Sequence, residues 1–239
     1  MGNRSQSERP TTWRVFEPGM LAYGEALRLQ HRFVAARKTG ALACDLLMLL
    51  EHPPVFTLGR RGGRENLIVP PDFLANAGIQ VVQAERGGNI TYHGPGQLVA
   101  YLVLDLEAAK MGVKDFVHFL EEAMIRTAAE WGVAAERNPV NRGIWVGNSK
   151  MGSIGIAIRR GITYHGLAFN VDVSLEPFGW INPCGLPGVG VTSLKLASGR
   201  SPSMPSVRRV FKGHIQTIFG SALVALEKDE VENITTSGS

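Results

Sequence analysis

Cys184 sits in INPCGLPGVG (181–190), between a proline and a glycine, in a stretch built to turn. A sulfur serving only as a small hydrophobe fits better inside an apolar helix or strand. A turn exposes the thiol and leaves backbone N–H groups of the Cys-Gly-Leu run free to hold a developing oxyanion. Read locally, Cys184 is either a nucleophile or a structural residue, and its own neighbours do not choose. Cys44, in GALACDLLMLL, has apolar residues on both sides and is expected in the core. Two cysteines allow at most one bridge, so a disulfide scaffold is excluded.

The histidines (His31, His52, His93, His118, His165 and His214) show neither HExxH nor Cys/His spacing, which leaves a metal site unsupported. His93 and His165 each stand in the tetrapeptide TYHG. Both are expected near strand ends, lining a pocket or held by hydrogen bonds. His118 falls on a helix, as a surface or satisfied core residue. The loops GRRGGRENL and RGGNITYHGPGQ invite a nucleotide, yet neither has GxxxxGK[ST] nor a strand–GxGxxG–helix setting. Their glycines suit tight turns or close backbone approach to a ligand.

Elements must hold these groups in place. Residues 21–36 read as a helix with Ala22, Ala26, Leu29 and Phe33 on one face. LLMLLE and VFTLG read as strands broken by Pro53-Pro54, followed by IQVVQAE and QLVAYLVLDL around the RGGNITYHGPG loop. Residues 113–131 form the clearest helix, with Val113, Phe116, Val117, Leu120, Met124, Ala128 and Trp131 at helical spacing. GIWVG, MGSIGIAIRR and ITYHGLAFNVDV are three more strands. A last amphipathic helix is expected over 207–225. Strands and helices do not alternate regularly, so a mixed sheet with packed helices, α+β in class, is expected rather than a doubly wound parallel sheet. One main domain spans about 15–225, with tails at 1–14 and 226–239.

A hydrophobic content of 44% with 19% charged residues is that of an ordinary globular protein, and no apolar run reaches the ~20 residues of a spanning helix. MGNRSQSERP lacks the apolar core of a signal peptide, so a cytoplasmic location is expected, with no membrane partner. The net charge of +4 is spread over short groups (Arg60, Arg61 and Arg64; Arg159 and Arg160; Arg208, Arg209 and Lys212). With no basic tract or aromatic RNA motif, nucleic acid is not an expected partner. An acidic protein suits such patches equally well.

RGGNITYHGPGQLVAY (86–101) resembles the signature of the lipoyl(octanoyl) transferases, R-G-G-x-aliphatic-T-aromatic-H-x-x-G-Q-x-aliphatic-x-Y, at every defined position. TLGRRG, SKMGSIGIAIRRGITYHGLAFNVD and INPCGL resemble further blocks of that family in the right order, over about residues 15–225. The resemblance implies a biotin/lipoate-protein-ligase-like fold and transfer of an octanoyl group from octanoyl-acyl carrier protein to a lysine of a lipoyl domain. The acceptors it implies are the lipoyl domains of 2-oxoacid dehydrogenase complexes and the glycine cleavage H protein. Carried over by position, Cys184 is the acylated nucleophile and Lys150 its activating partner. Arg86, Gly87, Gly88, Asn89, Ile90, Thr91, Tyr92 and His93 match one acyl-substrate-binding segment; Ser153, Ile154 and Gly155 match a second, and Gly166, Leu167 and Ala168 a third. One departure is Met151-Gly152, where the family pattern has an aliphatic residue and then Ala or Cys; Gly152 is expected to loosen the strand that carries Lys150.

A thioester donor and an amide product make the transfer downhill, so no ATP and no cofactor is required, in keeping with the missing phosphate loop. A thiol is a natural relay between the two. An ordinary thiol is only ~3% thiolate at pH 7. An ammonium that made it half thiolate would therefore gain only about 17-fold. That leaves Lys150 room for a second role as general base once acylation has removed the thiolate charge. Ile90, Leu98, Ile154, Ile156 and Leu167 are candidates for an acyl tunnel, with Leu98 and Ile156 better read as core. Arg60, Arg61 and Arg159 are candidates for meeting an acidic carrier protein. Three rivals remain: an ATP-dependent lipoate or biotin ligase, a non-catalytic acyl-protein binding module, and a Cys/His peptidase using His93 or His165.

Overall fold

The structure, a computed structural model, describes residues 12–139, 141–182 and 190–236; among them twelve strands form two sheets, with six α-helices beside them. The strands of the larger sheet are β1 (Thr12–Met20), β2 (Leu46–Glu51), β6 (Gln97–Val103), β7 (Glu136–Arg137), β8 (Gly143–Val146), β9 (Ser149–Arg159), β10 (Ile162–Asn170), β11 (Gly190–Val191) and β12 (Ala222–Ala225). They run in the order β12-β1-β2-β6-β10-β9-β8-β7, with β11 on β9. Pairs β12–β1, β1–β2 and β11–β9 are parallel and the rest antiparallel, so the sheet is mixed, as the irregular element order predicts. The smaller sheet, β4-β3-β5, comprises β3 (Val55–Leu58), β4 (Gln80–Gln83) and β5 (Ile90–His93).

The two Leu-rich strand runs explain the layering. In β2 and β6 every second residue faces one side, and both sides are covered, so the strands read as continuous apolar runs. Leu47, Leu49, Leu98, Ala100 and Leu102 pack under helices α3 (Val113–Ala129) and α5 (Met204–Phe219). Leu46, Met48, Leu50, Val99, Tyr101 and Val103 pack on the other face, with Phe33 and Ala26 of α1 (Tyr23–Thr39). A third cluster, including Phe56, Ile90, Tyr92 and Phe178, fills the small sheet. Pro53-Pro54 does more than break a strand: the chain crosses there from the large sheet to the small one.

Several expectations need correction at their ends. The last predicted helix stops at Phe219, because Gly220 takes a left-handed conformation (φ 65°) as its cap, and 222–225 is the edge strand β12. It also starts earlier, at Met204, where the Ser203 hydroxyl accepts the Ser206 N–H and Pro205 lies in the first turn. Residues 12–14 and 228–236, expected among the tails, belong to β1 and to helix α6 (Lys228–Thr236), tied together by an Arg14–Glu230 ion pair at 2.5 Å. Gly152 stands beside an irregularity in β9, where the register with β8 shifts between the Ile144–Gly152 and Trp145–Lys150 pairs. A side chain there would meet the Met124 sulfur of α3 at 2.6 Å, so the missing Cβ is matched by a large neighbour. Cys44 is half-buried against the α1-side cluster, and burial raises its thiol pKa. His118 is exposed on α3. No helix among the described residues is long and apolar enough to cross a membrane.

Candidate active site

The second and third resemblance segments are cross-strand partners. In the β9–β10 pairing Ser153 faces Ala168, Ile154 faces Leu167 and Gly155 faces Gly166. The first segment folds over them from the small sheet. Gly87 N–H donates to the Ile156 carbonyl at 2.9 Å, and a Cβ on Gly155 would lie 2.9 Å from the Gly87 carbonyl oxygen, so only glycine allows this approach. Between these walls lies a cavity of about 520 Å³. Arg86, Gly87, Gly88, Asn89, Ile90, Thr91, His93, Ser153, Ile154, Gly155, Gly166, Leu167, Ala168 and Lys150 all line it. Tyr92 does not; its ring packs on Phe56 and Phe178 in the small-sheet core. Of the apolar candidates, Ile156 lines the cavity, against its reading as core, and Leu98 is core, fully buried beneath the sheet.

The segment over the cavity is held by a network that can be followed atom by atom. Arg86, 8% exposed, donates through Nη2 to the Thr57 carbonyl (2.7 Å) and hydroxyl (2.8 Å) and through Nη1 to the Gly87 carbonyl (3.0 Å). Gln97 donates its amide N–H to the Tyr92 carbonyl and to Asn170 Oδ1, which leaves its oxygen as the acceptor for His93 Nδ1–H at 2.7 Å. His93 Nε2 then accepts from the Thr57 hydroxyl at 3.4 Å. Asn170 passes the chain on to the Thr192 carbonyl, and the Thr192 N–H bonds the Lys150 carbonyl. Every buried donor finds an acceptor along this path, so the loop and β9 are held as one frame.

Burial, with nearby His52 and Arg86, keeps the His93 imidazole well below its ordinary pKa, hence neutral. Both its nitrogens are engaged, so it is not set out as a general base. His165 sits inside β10 with a left-handed φ of 58° and is not part of the cavity lining. Its pKa is pushed down to about 3, first by burial and then by Arg86. Neither histidine supports the peptidase reading. Among the described residues no group of three or more His, Cys, Asp or Glu is arranged to hold a metal.

Lys150 is buried at 5% exposure, and its ammonium donates to Asn141 Oδ1 at 2.5 Å and lies 5.3 Å from the centre of the Trp145 ring. Cys184 lies outside the described residues. Their two borders are anchored: Asn182 N–H bonds the Asn66 carbonyl, and Val191 of β11 pairs with Lys150 itself. Sequence reading missed Asn141, Trp145, Tyr101, Val117 and Arg142. Trp145 lies in β8 and Asn141 in the bend before it, so no strand alternation in the sequence marks the two as neighbours. Arg61 and Arg142 line the cavity at its exposed rim, whereas Arg60 and Arg159 act on Tyr164 instead.

The sequence model described as "Lipoyl protein ligase A/B catalytic domain" matches residues 22–216. The chain belongs to this family. Within it, the chain is 49% identical over 208 residues to a protein named octanoyltransferase from Desulfotalea psychrophila, covering 86% of this chain and 93% of that one. It is 43% identical to the octanoyltransferase of Caldicellulosiruptor bescii over 89% and 94% of the two chains. An octanoyltransferase is an acyltransferase, and this family member is one. Its fold matches lipoate-protein ligase A bound with ATP, at a TM-score of 0.72 and 16% identity, over 95% of this chain and 93% of the other. It also matches the bipartite lipoate protein ligase of Thermoplasma acidophilum, at a TM-score of 0.68 and 16% identity, over 95% and 91%. The expected lipoate-ligase-like fold is therefore found.

Proposed function

We propose that this acyltransferase moves an octanoyl group from octanoyl-acyl carrier protein to a lysine of lipoyl domains, in the cytoplasm, through a thioester on Cys184. The supporting observation is the position of Lys150: buried, on the wall of an apolar-floored cavity, and paired in register with the strand that follows the Cys184 segment. Relatives named octanoyltransferase at 43–49% identity support the acyl group. The lipoyl domains of 2-oxoacid dehydrogenase complexes and the H protein are the acceptors this reading requires.

The proposed steps balance. The Cys184 thiolate attacks the donor carbonyl, the bond to the carrier thiol breaks, and the Lys150 ammonium gives its proton to the leaving thiolate. Lys150, now neutral, takes one proton from the incoming lysine ammonium. The freed amine attacks the acyl-cysteine; a second proton goes to solvent and the Cys184 thiolate leaves. The enzyme returns to its starting charge state. Ile90, Ile154, Ile156 and Leu167 would cover the acyl chain, and the rim arginines Arg61 and Arg142 would meet the acidic carrier.

A shared fold with an ATP-bound ligase makes adenylate chemistry the second reading. Intact mass spectrometry after mixing with octanoyl-acyl carrier protein separates the two. The relay predicts an octanoyl adduct on the wild-type chain, absent from Cys184→Ser and discharged onto apo lipoyl domain. Ligation of free octanoate with ATP that survives Cys184→Ser would establish the ligase reading instead.

A further inference from the structure

The described lining of the cavity carries Arg61, Arg86, Arg142 and Lys150, and no carboxylate. A buried ammonium facing these cations needs a hydrogen-bonding seat to persist. Among the described residues, one short run supplies part of that seat. Asn141 Oδ1 accepts from Nζ at 2.5 Å, and the Trp145 ring lies 5.3 Å from it. Trp145 also fixes Asn141, its indole N–H donating to the Asn141 carbonyl at 3.1 Å, while Asn138 Oδ1 accepts the Asn141 N–H. Between the two stands Gly143, with φ 123°. A Cβ there would lie 2.1 Å from the Gly152 carbonyl oxygen and 3.1 Å from Lys150 Cε, so this glycine lets the lysine stem pass. The buried Glu121 of α3 accepts the Gly143 N–H at 3.0 Å and locks that passage.

A carboxylate in place of Asn141 would bind the ammonium too well to let it act as a base. A carbonyl dipole and a ring face stabilise the charged form modestly, and both release a neutral amine at little cost. We propose that Asn141 is a positioning residue of the acyl transfer, holding Lys150 with a neutral acceptor so that its amine can alternate between ammonium and base. The proposal rests on the Cys184–Lys150 relay and deepens it. Among the described residues, the charged groups on the elements around Lys150 include Glu121 of α3, Arg137 of β7 in contact with Glu121 at 3.4 Å and with Glu122, Arg142 of the β7–β8 loop, and Arg86 and Arg61 across the cavity. Glu121 Oε1 accepts from Gly143 and Oε2 faces Arg137 Nε at 3.4 Å, so Asn141 is an acceptor whose charge can be changed without dismantling the wall.

The test separates the two half-reactions as a function of pH. Acyl-enzyme is prepared with octanoyl-acyl carrier protein and followed by intact mass, then mixed rapidly with apo lipoyl domain. Wild type, Asn141→Asp and Asn141→Ala are compared, with thermal melts as the folding control. Asn141→Asp should slow aminolysis about tenfold at pH 7, move its pH midpoint upward and leave its high-pH plateau in place, while acylation changes less. Asn141→Ala should move that midpoint downward and slow alkylation of Cys184 by iodoacetamide at pH 7 about threefold. Variants that lower the rate equally at every pH, with midpoints unmoved, overturn the proposal and leave Asn141 a structural residue. A wild-type chain that forms no octanoyl adduct overturns the relay itself and the seat with it. The first failure requires an adduct and the second excludes one.

Discussion

Residues 91–94 and 163–166 are both Thr-Tyr-His-Gly; the first three residues of the first copy and all four of the second lie in strands that border the cavity. In the first copy Thr91 lines the cavity, Tyr92 turns into the small-sheet core, and His93 is hydrogen-bonded at both nitrogens. In the second, the Thr163 hydroxyl stitches β10 to the carbonyl of Leu102, the Tyr164 hydroxyl donates to Glu85 at 2.5 Å, and Gly166 lines the cavity. His165 stacks on Tyr164, and neither of its ring nitrogens meets a hydrogen-bond partner among the described residues. Identical local sequence thus yields a strand both times and a different role for every side chain. Distant residues decide the role: Thr57 and Gln97 for His93, Tyr23, Gln30 and Tyr101 around His165.

Acid should break this comparison most strongly, because it strikes the imidazoles that stay neutral in the fold. His52 is held down to about 4 by burial and His165 to about 3 by burial and Arg86. Below about 6.5 the unfolded chain takes up protons that the folded chain refuses. Their stabilising contribution is therefore complete above that value and is lost as pH falls from 6.5 towards 4 and 3. By pH 5 each should have cost about 2 kcal/mol, about 4 kcal/mol from these two alone with the neutral His93 adding to it, read as a drop in urea-unfolding free energy between pH 7.5 and 5. A flat profile over that range would mean that neither ring is buried neutral.

His93→Phe removes the partner of two buried groups, Gln97 Oε1 and the Thr57 hydroxyl. It should cost about 3 kcal/mol at pH 7.5 in the same titration. A loss under about 1 kcal/mol would mean that the network bears little weight. His165→Phe sharpens the contrast. The ring stack is kept and no protein hydrogen bond is lost, so stability at pH 7.5 should change by less than about 1 kcal/mol, while the loss on going to pH 5 shrinks by about 2 kcal/mol. A large penalty at pH 7.5 with an unchanged acid limb would show that His165 is bound in a way its contacts do not reveal.

Legibility in the sequence follows the same division between local and distant causes. The helix α3 was readable because its apolar spacing is set within its own seventeen residues, and the paired strands because their runs are continuous or alternate. The end of α5 was not, since Ala222 keeps helical spacing past Gly220 and only the pairing of 222–225 with β1 reveals a strand. The cavity walls were foreseen where a motif named them, and the register Gly166–Gly155 then explains why two blocks far apart in the chain belong to one surface. Asn141 and Trp145 were missed because neither residue type announces chemistry. Only the lysine that they surround gives them meaning.

The pairing of β1 with β12 joins the first described strand to the last one, and Arg14 to Glu230 beyond it. On a ribosome, that edge of the sheet must wait until the chain has been made as far as Ala225, however early β1 is made. Until β12 is made the nascent protein therefore presents an unpaired edge at β1, which favours either a chaperone's attention or pairing with a neighbour. A circular permutant that links the two termini and opens the chain at an exposed loop would turn this most remote contact into a local one, and its refolding should be faster for that reason alone.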